Sequence, residues 1–307
     1  MKTCIRGSWA LAPVLAVVVM LMPSLAARSQ NAQKSIFVSV VDGSGKPVTD
    51  LTAADFAILE DKSPREISEA KLATQPLSVT LLGDTTKNAG NAGMAGRNAS
   101  GSELIRDIRI ALVAFARQLK ADSPDAQLSV MEFGQAAIPV TRFTPELAEV
   151  EKGIMRLFPK QGAASVLLDA LVDANRDISR QKSPRRALVA INIEPGEEEG
   201  GRQPERIVEA FKASQASLWV ASLQEGELRN ATRGMVLDQL TRFTGGRREF
   251  ILASQALETL LKDYASALTH QYEVTYNRPP ADRAPEVVRV GTTRPGVKVF
   301  ANAFAPK

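Results

Sequence analysis

The residues of this chain with the most to offer chemically sit where an apolar run stops. In "LSVTLLGDTTKNAGNAG", Leu77 to Gly93, oxygen-bearing side chains follow at alternate positions: Asp84, Thr86 and Asn88. A tight loop with that spacing points its oxygens into one concavity. Hard divalent cations such as Mg2+ or Mn2+ take carboxylate, hydroxyl and water oxygens in octahedral array. An ordinary polar loop after a buried strand has the same composition, so the chemistry depends on what else reaches this strand end. "QGAASVLLDAL" puts Ser165 at the start of a helix, and "ALVAINIEPGEEEGG" ends a strand at Glu194. Those two segments and the Asp84 loop are expected to converge on one sheet edge, where Glu197 to Glu199 either add carboxylates or form a solvated acidic loop.

Side chains that commonly carry catalysis are scarce. His270 is the single histidine and Cys4 the single cysteine. His270 closes a long helical pattern, where a cation favours the helix dipole, and it reads as structural or surface-exposed. No serine lies in a G-x-S-x-G turn, and a Ser/His/Asp triad would have to draw on His270, far from any nucleophile in the pattern. A phosphoryl-accepting Asp84 would want an aspartate two residues on, where Thr86 stands. "GSGKP", Gly43 to Pro47, has no Ser or Thr after Lys46 to reach magnesium and reads as a turn. Asp55 reads as a turn or cap, Asp169 as a residue inside a helix, and Trp219 as core. No catalytic residue is assigned.

Several elements must position these groups. Lys2, Arg6, the apolar "WALAPVLAVVVMLM" and the small residues of "PSLAARSQ" read as a secretory signal peptide over residues 1–26, cleaved after Ala26. The apolar run is shorter than the ~20 residues a spanning helix needs, and no later segment is long and apolar enough to span. An uncleaved anchor is the alternative. The expected location is secreted or periplasmic. Cys4 falls inside the leader, so the exported chain has no disulfide, thiolate nucleophile or sulfur-ligated metal. Its length suits one large domain, or one with a small partner. The formal net charge of +4 includes Lys2 and Arg6, which leaves +2 of mixed charge. There is no basic stripe interleaved with aromatics, which argues against nucleic acid. "RQKSPRR", Arg180 to Arg186, reads as a solvated loop.

Residues 35–73 read as a small β segment, with strands "IFVSVVD" and "FAILED" around the turn "DGSGKP". From residue 76 to 270 strands and helices alternate. "LSVTLLG", "AQLSVMEFG", "RRALVAINI", "SLWVASL" and "REFIL" are strands. Helices are expected over Ser102 to Lys120 and in "PELAEVEKGIMRLF", "SVLLDALVDANRDIS", "PERIVEAFKAS", "GMVLDQLTRFTGG" and "ASQALETLLKDYASALTHQ". The alternation predicts an α/β fold with a mainly parallel, doubly wound sheet and helices on both faces. "YEVTYNR", "EVVRVGT" and "GVKVFAN" form a C-terminal β segment over residues 271–303, which either extends the sheet or completes the N-terminal β unit. Asn88 to Ser102 is long for a loop between strand and helix.

The three converging segments resemble the von Willebrand factor A domain. Over residues 35–303 the chain is more closely similar to the VWFA-related domain proteins of Acidobacteria and relatives. "GKPVTDLTAADFAILEDKSPREI" resembles their N-terminal β segment, and "LSVTLLGDTTKN" stands where they have the strand and loop of the metal-ion-dependent adhesion site. "GAASVLLDAL" resembles their Gly-Gly-Thr-Ala-Leu-Tyr-Asp-Ala-Leu segment, and "YEVTYNRPP" and "TTRPGVKVFA" their closing strands. The usual Asp-x-Ser-x-Ser is altered to Asp84-Thr85-Thr86-Lys87-Asn88. Ser165 stands for a threonine, and Glu194-Pro195 occupies the place of an Asp-Gly.

The resemblance implies a non-enzymatic protein-binding module in which Asp84, Thr86, Asn88 and Ser165 hold Mg2+ or Mn2+, with Glu194 as an outer carboxylate. An acidic side chain of a protein partner would complete the coordination. The alternatives are a structural or assembly protein on the same fold without metal, with Lys87 in the cation's place, and a metal-assisted hydrolase, which lacks an evident general base.

Overall fold

The structure is a computed structural model that describes Met1 and residues 32–86, 101–160, 164–194, 196, 198–224, 231–280 and 285–306. The signal peptide, Lys87, Asn88, Pro195 and Glu197 lie outside the described residues. The chain runs β1 (Ala32–Val41), β2 (Phe56–Glu60), β3 (Ser63–Arg65), β4 (Ile67–Leu72), β5 (Leu77–Asp84), α1 (Gly101–Asp122), β6 (Gln127–Phe133), β7 (Ala137–Thr144), α2 (Leu147–Ile154), α3 (Leu167–Ile178) and β8 (Arg185–Glu194). It continues through α4 (Pro204–Ser214), β9 (Ser217–Gln224), α5 (Ala231–Thr244), β10 (Arg248–Ile251), α6 (Ala256–Thr269), β11 (Tyr272–Arg278), β12 (Val288–Thr292) and β13 (Lys298–Ala301).

β5 is buried at every position, as a parallel strand covered on both faces must be. It lies at the centre of a six-stranded sheet ordered β10-β9-β8-β5-β6-β7. The strands β10, β9, β8, β5 and β6 are parallel; β7 returns antiparallel along β6. Leu77, Val79 and Leu81 pack with Leu112, Phe115 and Leu119 of α1 and Leu261 and Leu268 of α6 on one face. Leu82, Leu188 and Ala190 meet Leu171 of α3, Phe211 of α4 and Leu237 of α5 on the other. Each fully buried Leu, Val or Phe contributes about 1.5–3 kcal/mol relative to remaining in water.

The chain leaves β5 toward β6 and β7 and comes back on the other side to build β8, β9 and β10. The order therefore reverses between β5 and β8. The crevice outside the carboxyl ends of such strands is where open α/β sheets bind ligands. Asp84 is the last residue of β5 and Glu194 the last of β8. By the strand pleat they share the sheet face of Leu82, Leu188 and Ala190.

The C-terminal strands complete the N-terminal β unit instead of extending the central sheet. β11 lies between β1 and β4, β13 adds to β1, and β12 pairs with β2. This unit has its own core of Ile36, Val38, Val40, Phe56, Ile58, Tyr272 and Val274. Glu60 links its two sheets. From β2 it accepts hydrogen bonds from Tyr276 Oη at 2.6 Å and Arg278 Nε at 2.8 Å, both on β11, and from Arg65 Nε at 2.8 Å.

Two expectations need correction. β7 was absent from the sequence reading because "AIPVTRFT" carries Pro139 and is half exposed, an arrangement an edge strand tolerates. "RQKSPRR" is also not wholly solvated: Arg185 is buried. Its guanidinium donates to the carbonyls of Gln75 at 2.9 Å and Leu268 at 2.5 Å, tying the start of β8 to the end of α6, and burial lowers its pKa to about 10. Among the described residues no helix is long and apolar enough to cross a membrane.

Candidate functional site

Asp84 ends β5 fully enclosed. Its Oδ1 accepts the backbone N–H of Thr86 at 2.9 Å, and its Oδ2 accepts that of Ile193 on β8 at 2.9 Å. The carboxylate thus fastens the two strands at the point where the sheet order reverses. Burial raises its pKa, while Thr86, the Ile193 N–H and the charge of Arg233 act in the opposite direction. The Thr86 hydroxyl lies close enough to favour the ionised carboxylate, but it makes no hydrogen bond of normal geometry and is buried. Thr85 turns to β6, with its N–H on the Phe133 carbonyl at 3.0 Å.

Ser165 stands just before α3. Its Oγ accepts the Leu167 N–H at 3.2 Å, a local bond that opens the helix, and donates to Glu198 Oε2 at 3.2 Å. Glu198 Oε1 accepts the Leu168 N–H at 3.1 Å, placing a carboxylate on the positive end of α3. The acidic loop is therefore not simply solvated: the Glu198 side chain is only 5% exposed, and Glu199 is the exposed neighbour. Burial pushes the Glu198 carboxyl up to about 7, against the Leu168 N–H, Arg233 and Ser165, which favour its charge.

Glu194 is fully engaged. Its Oε1 accepts Asn192 Nδ2 at 2.9 Å and Arg248 Nη2 at 3.2 Å. Its Oε2 accepts the Gly196 N–H at 3.3 Å and is hydrogen-bonded by Arg233 Nη2. Arg248, on β10, is itself held by Ser222 Oγ at 2.8 Å and Asp238 Oδ1 at 3.1 Å. Arg233, in the first turn of α5, also lies 3.7 Å from Glu198 through Nη1. A Cβ on Gly196 would stand 2.6 Å from Arg233 Nη2 and 2.7 Å from Nη1, so the bare glycine makes the room the guanidinium occupies.

Asp84, Ser165 and Glu194 do meet at one edge, joined by Glu198, one of the three loop glutamates that the sequence offered as added carboxylates, and by Arg233, which the sequence did not single out. Asn88 lies outside the described residues. The one available sign of Arg233 was its charge at a helix N-terminus, where the dipole disfavours it. Among the described residues no three His, Cys, Asp or Glu side chains are grouped to hold a metal ion. The fit to a divalent cation is poor, because each carboxylate oxygen of Asp84 and Glu194 already accepts a hydrogen bond and Arg233 stands between Glu194 and Glu198.

His270, Trp219 and Asp55 make contacts within the fold. His270 Nδ1 lies 2.9 Å from the Ser266 carbonyl at the end of its own helix, Trp219 is buried edge-on to Tyr264 at 5.1 Å, and Asp55 caps the Ala53–Asp55 turn through Thr52. Asp169 accepts the Arg202 N–H at 3.2 Å, anchoring the loop after Glu198.

No family model matches the sequence, and no curated protein matches it. Solved structures do. A von Willebrand factor type A protein from Catenulispora acidiphila superposes with a TM-score of 0.50 at 9% identity, over 91% of this chain and 74% of that one. Proximal thread matrix protein 1 from the mussel byssus gives 0.49 at 15% identity, over 61% and 46%. The vWF domain of the type V pili tip protein Mfa5 from Porphyromonas gingivalis gives 0.44 at 9%, over 64% and 96%. At 9% identity the likeness to the Catenulispora protein concerns the fold alone: the chain has the von Willebrand factor A architecture.

Proposed function

We propose that this chain is an exported, non-enzymatic protein-binding module that engages its partner at the carboxyl edge of β5 and β8. The observation that carries this reading is the charged cluster of Asp84, Glu194, Glu198, Arg233 and Arg248 at the point where the order of a von Willebrand factor A sheet reverses. Its glutamates and arginines are buried and paired with one another, so they fix the shape and charge of the edge that a partner would meet. No described serine or cysteine faces a histidine base, which supports binding over turnover. Residues 1–26 support export to the periplasm or beyond.

The exposed Glu199 lies at the rim, its N–H on the Ser165 carbonyl at 2.8 Å. Capture of a protein by residues 27–307, lost in Glu199→Arg while circular dichroism is unchanged, would support this edge. Capture indifferent to Glu199→Arg and to a folded Asp84→Ala would move the contact elsewhere.

A second reading keeps Mg2+ or Mn2+ in the cup of Asp84, Thr86, Asn88, Ser165 and Glu194. The buried, unsatisfied Thr86 hydroxyl favours it. An acidic side chain of the partner would then reach the ion.

A further inference from the structure

We infer that Arg233 is the cation of this site: its guanidinium supplies from within the chain the positive charge that a divalent metal would bring, and the edge works without metal. This rests on the proposed reading of the edge as the interaction site and specifies its chemistry.

Four observations carry it. Arg233 reaches both acidic elements, hydrogen-bonding Glu194 at the end of β8 and lying 3.7 Å from Glu198 beside the start of α3. Its charge also acts on Asp84 at the end of β5. One guanidinium therefore joins the end of β8 to Glu198, which in turn holds Ser165 and the start of α3. Its side chain is 0% exposed, so nothing but these acids and its other buried neighbours replaces the water it gave up. A buried charge is tolerated only when paired and hydrogen-bonded.

The place is also built for it. Gly196 leaves the space that a Cβ would take from both terminal nitrogens, and the Gly196 N–H fixes the same Glu194 oxygen that Arg233 bonds. Finally, the acids are consumed. Asp84 gives both oxygens to backbone N–H groups, and Glu194 gives both to donors that include two arginines. A divalent ion added here would displace hydrogen bonds already made and face a fixed positive charge. A guanidinium presents N–H donors and no open coordination position. Binding of a partner at this edge would then not need divalent cations.

The test is a titration of the purified chain with Mn2+, followed by the electron paramagnetic resonance signal of free Mn2+, beside thermal unfolding in EDTA, Mg2+ and Mn2+. Wild type is expected to leave the Mn2+ signal undiminished and to unfold at one midpoint in all three solutions. Arg233→Gln is expected to unfold several degrees lower in EDTA, and Arg233→Lys to recover part of that loss. Uptake of one Mn2+ by wild type, abolished in Asp84→Ala, would overturn the inference, as would an Arg233→Gln chain as stable as wild type. The wild-type titration decides without any variant, should Arg233→Gln not fold. Capture of a partner in EDTA is a separate arm: failure to capture anything counts against the interaction reading and leaves the titration standing.

Discussion

The Arg233 guanidinium, carried by the first turn of α5, is hydrogen-bonded to the Glu194 carboxylate at the end of β8, and the two side chains are 0% and 2% exposed. The pair joins a helix to the sheet at the edge where ligands bind in folds of this kind. Glu194 is shared with Arg248, and Arg233 with Glu198, so the pair is the middle of a chain of charges and not an isolated bridge.

Removing one partner of such a pair strands the other. Arg233→Ala is expected to cost about 3–5 kcal/mol, the range for breaking a buried ion pair. Adding Glu198→Gln to that variant is expected to return part of the loss, because Glu198 is the acid left without an arginine while Glu194 keeps Arg248. Urea unfolding of the two single variants and the double variant at neutral pH measures both numbers.

Gly196→Ala would bring a methyl within 2.6 Å of Arg233 Nη2 and 2.9 Å of the Ile193 carbonyl. A forced fit of this kind costs about 1–3 kcal/mol. Gly201→Ala, with nothing within 4 Å of its new Cβ, is expected to stay within about 0.5 kcal/mol of wild type. Comparing the two denaturation midpoints separates crowding at the guanidinium from a general intolerance of the loop.

Glu198 has its carboxyl pushed up from 4.5 to about 7 by burial. In that window the folded chain holds a proton the unfolded chain has released, so this group's contribution to stability falls as pH rises from about 4.5 through 7. Glu198→Gln is expected to remove this dependence, a difference of roughly 3 kcal/mol at most between pH 4.5 and 8. Unfolding free energies of both proteins across that range provide the measurement.

Glu60 has the opposite sign. Burial alone would raise its pKa, but the hydrogen bonds from Arg278, Tyr276 and Arg65 outweigh it and hold the carboxyl below 4.5. Its contribution to stability is complete above 4.5 and is lost as pH falls through the lowered folded value. Glu60→Gln is expected to be less stable at neutral pH and to show a shallower acid transition. Acid titration followed by near-ultraviolet circular dichroism of the β unit reads both effects.

Much of the fold is legible along the chain because local spacing carries it. The continuous apolar β5 and the helical spacing of Leu104, Ile105, Ile108, Leu112, Phe115 and Leu119 in α1 state their own burial before any partner is known. β7 was missed because an edge strand buries little and tolerates Pro139. The site was half legible. Asp84, Ser165 and Glu194 end or begin recognisable elements, so the sheet edge could be inferred. Arg233 and Glu198 sit in segments whose composition reads as surface.

The sequence by itself determined the alternation of strands and helices, and with it the acidic edge, because periodicity and strand ends are local properties. Only the tertiary structure decided what that edge contains. Whether Glu198 faces water or Arg233, and whether Glu194 waits for a metal or holds two arginines, depends on chain segments 35 to 54 residues apart arriving at one point. No local pattern records the charge that a distant helix brings into a buried space.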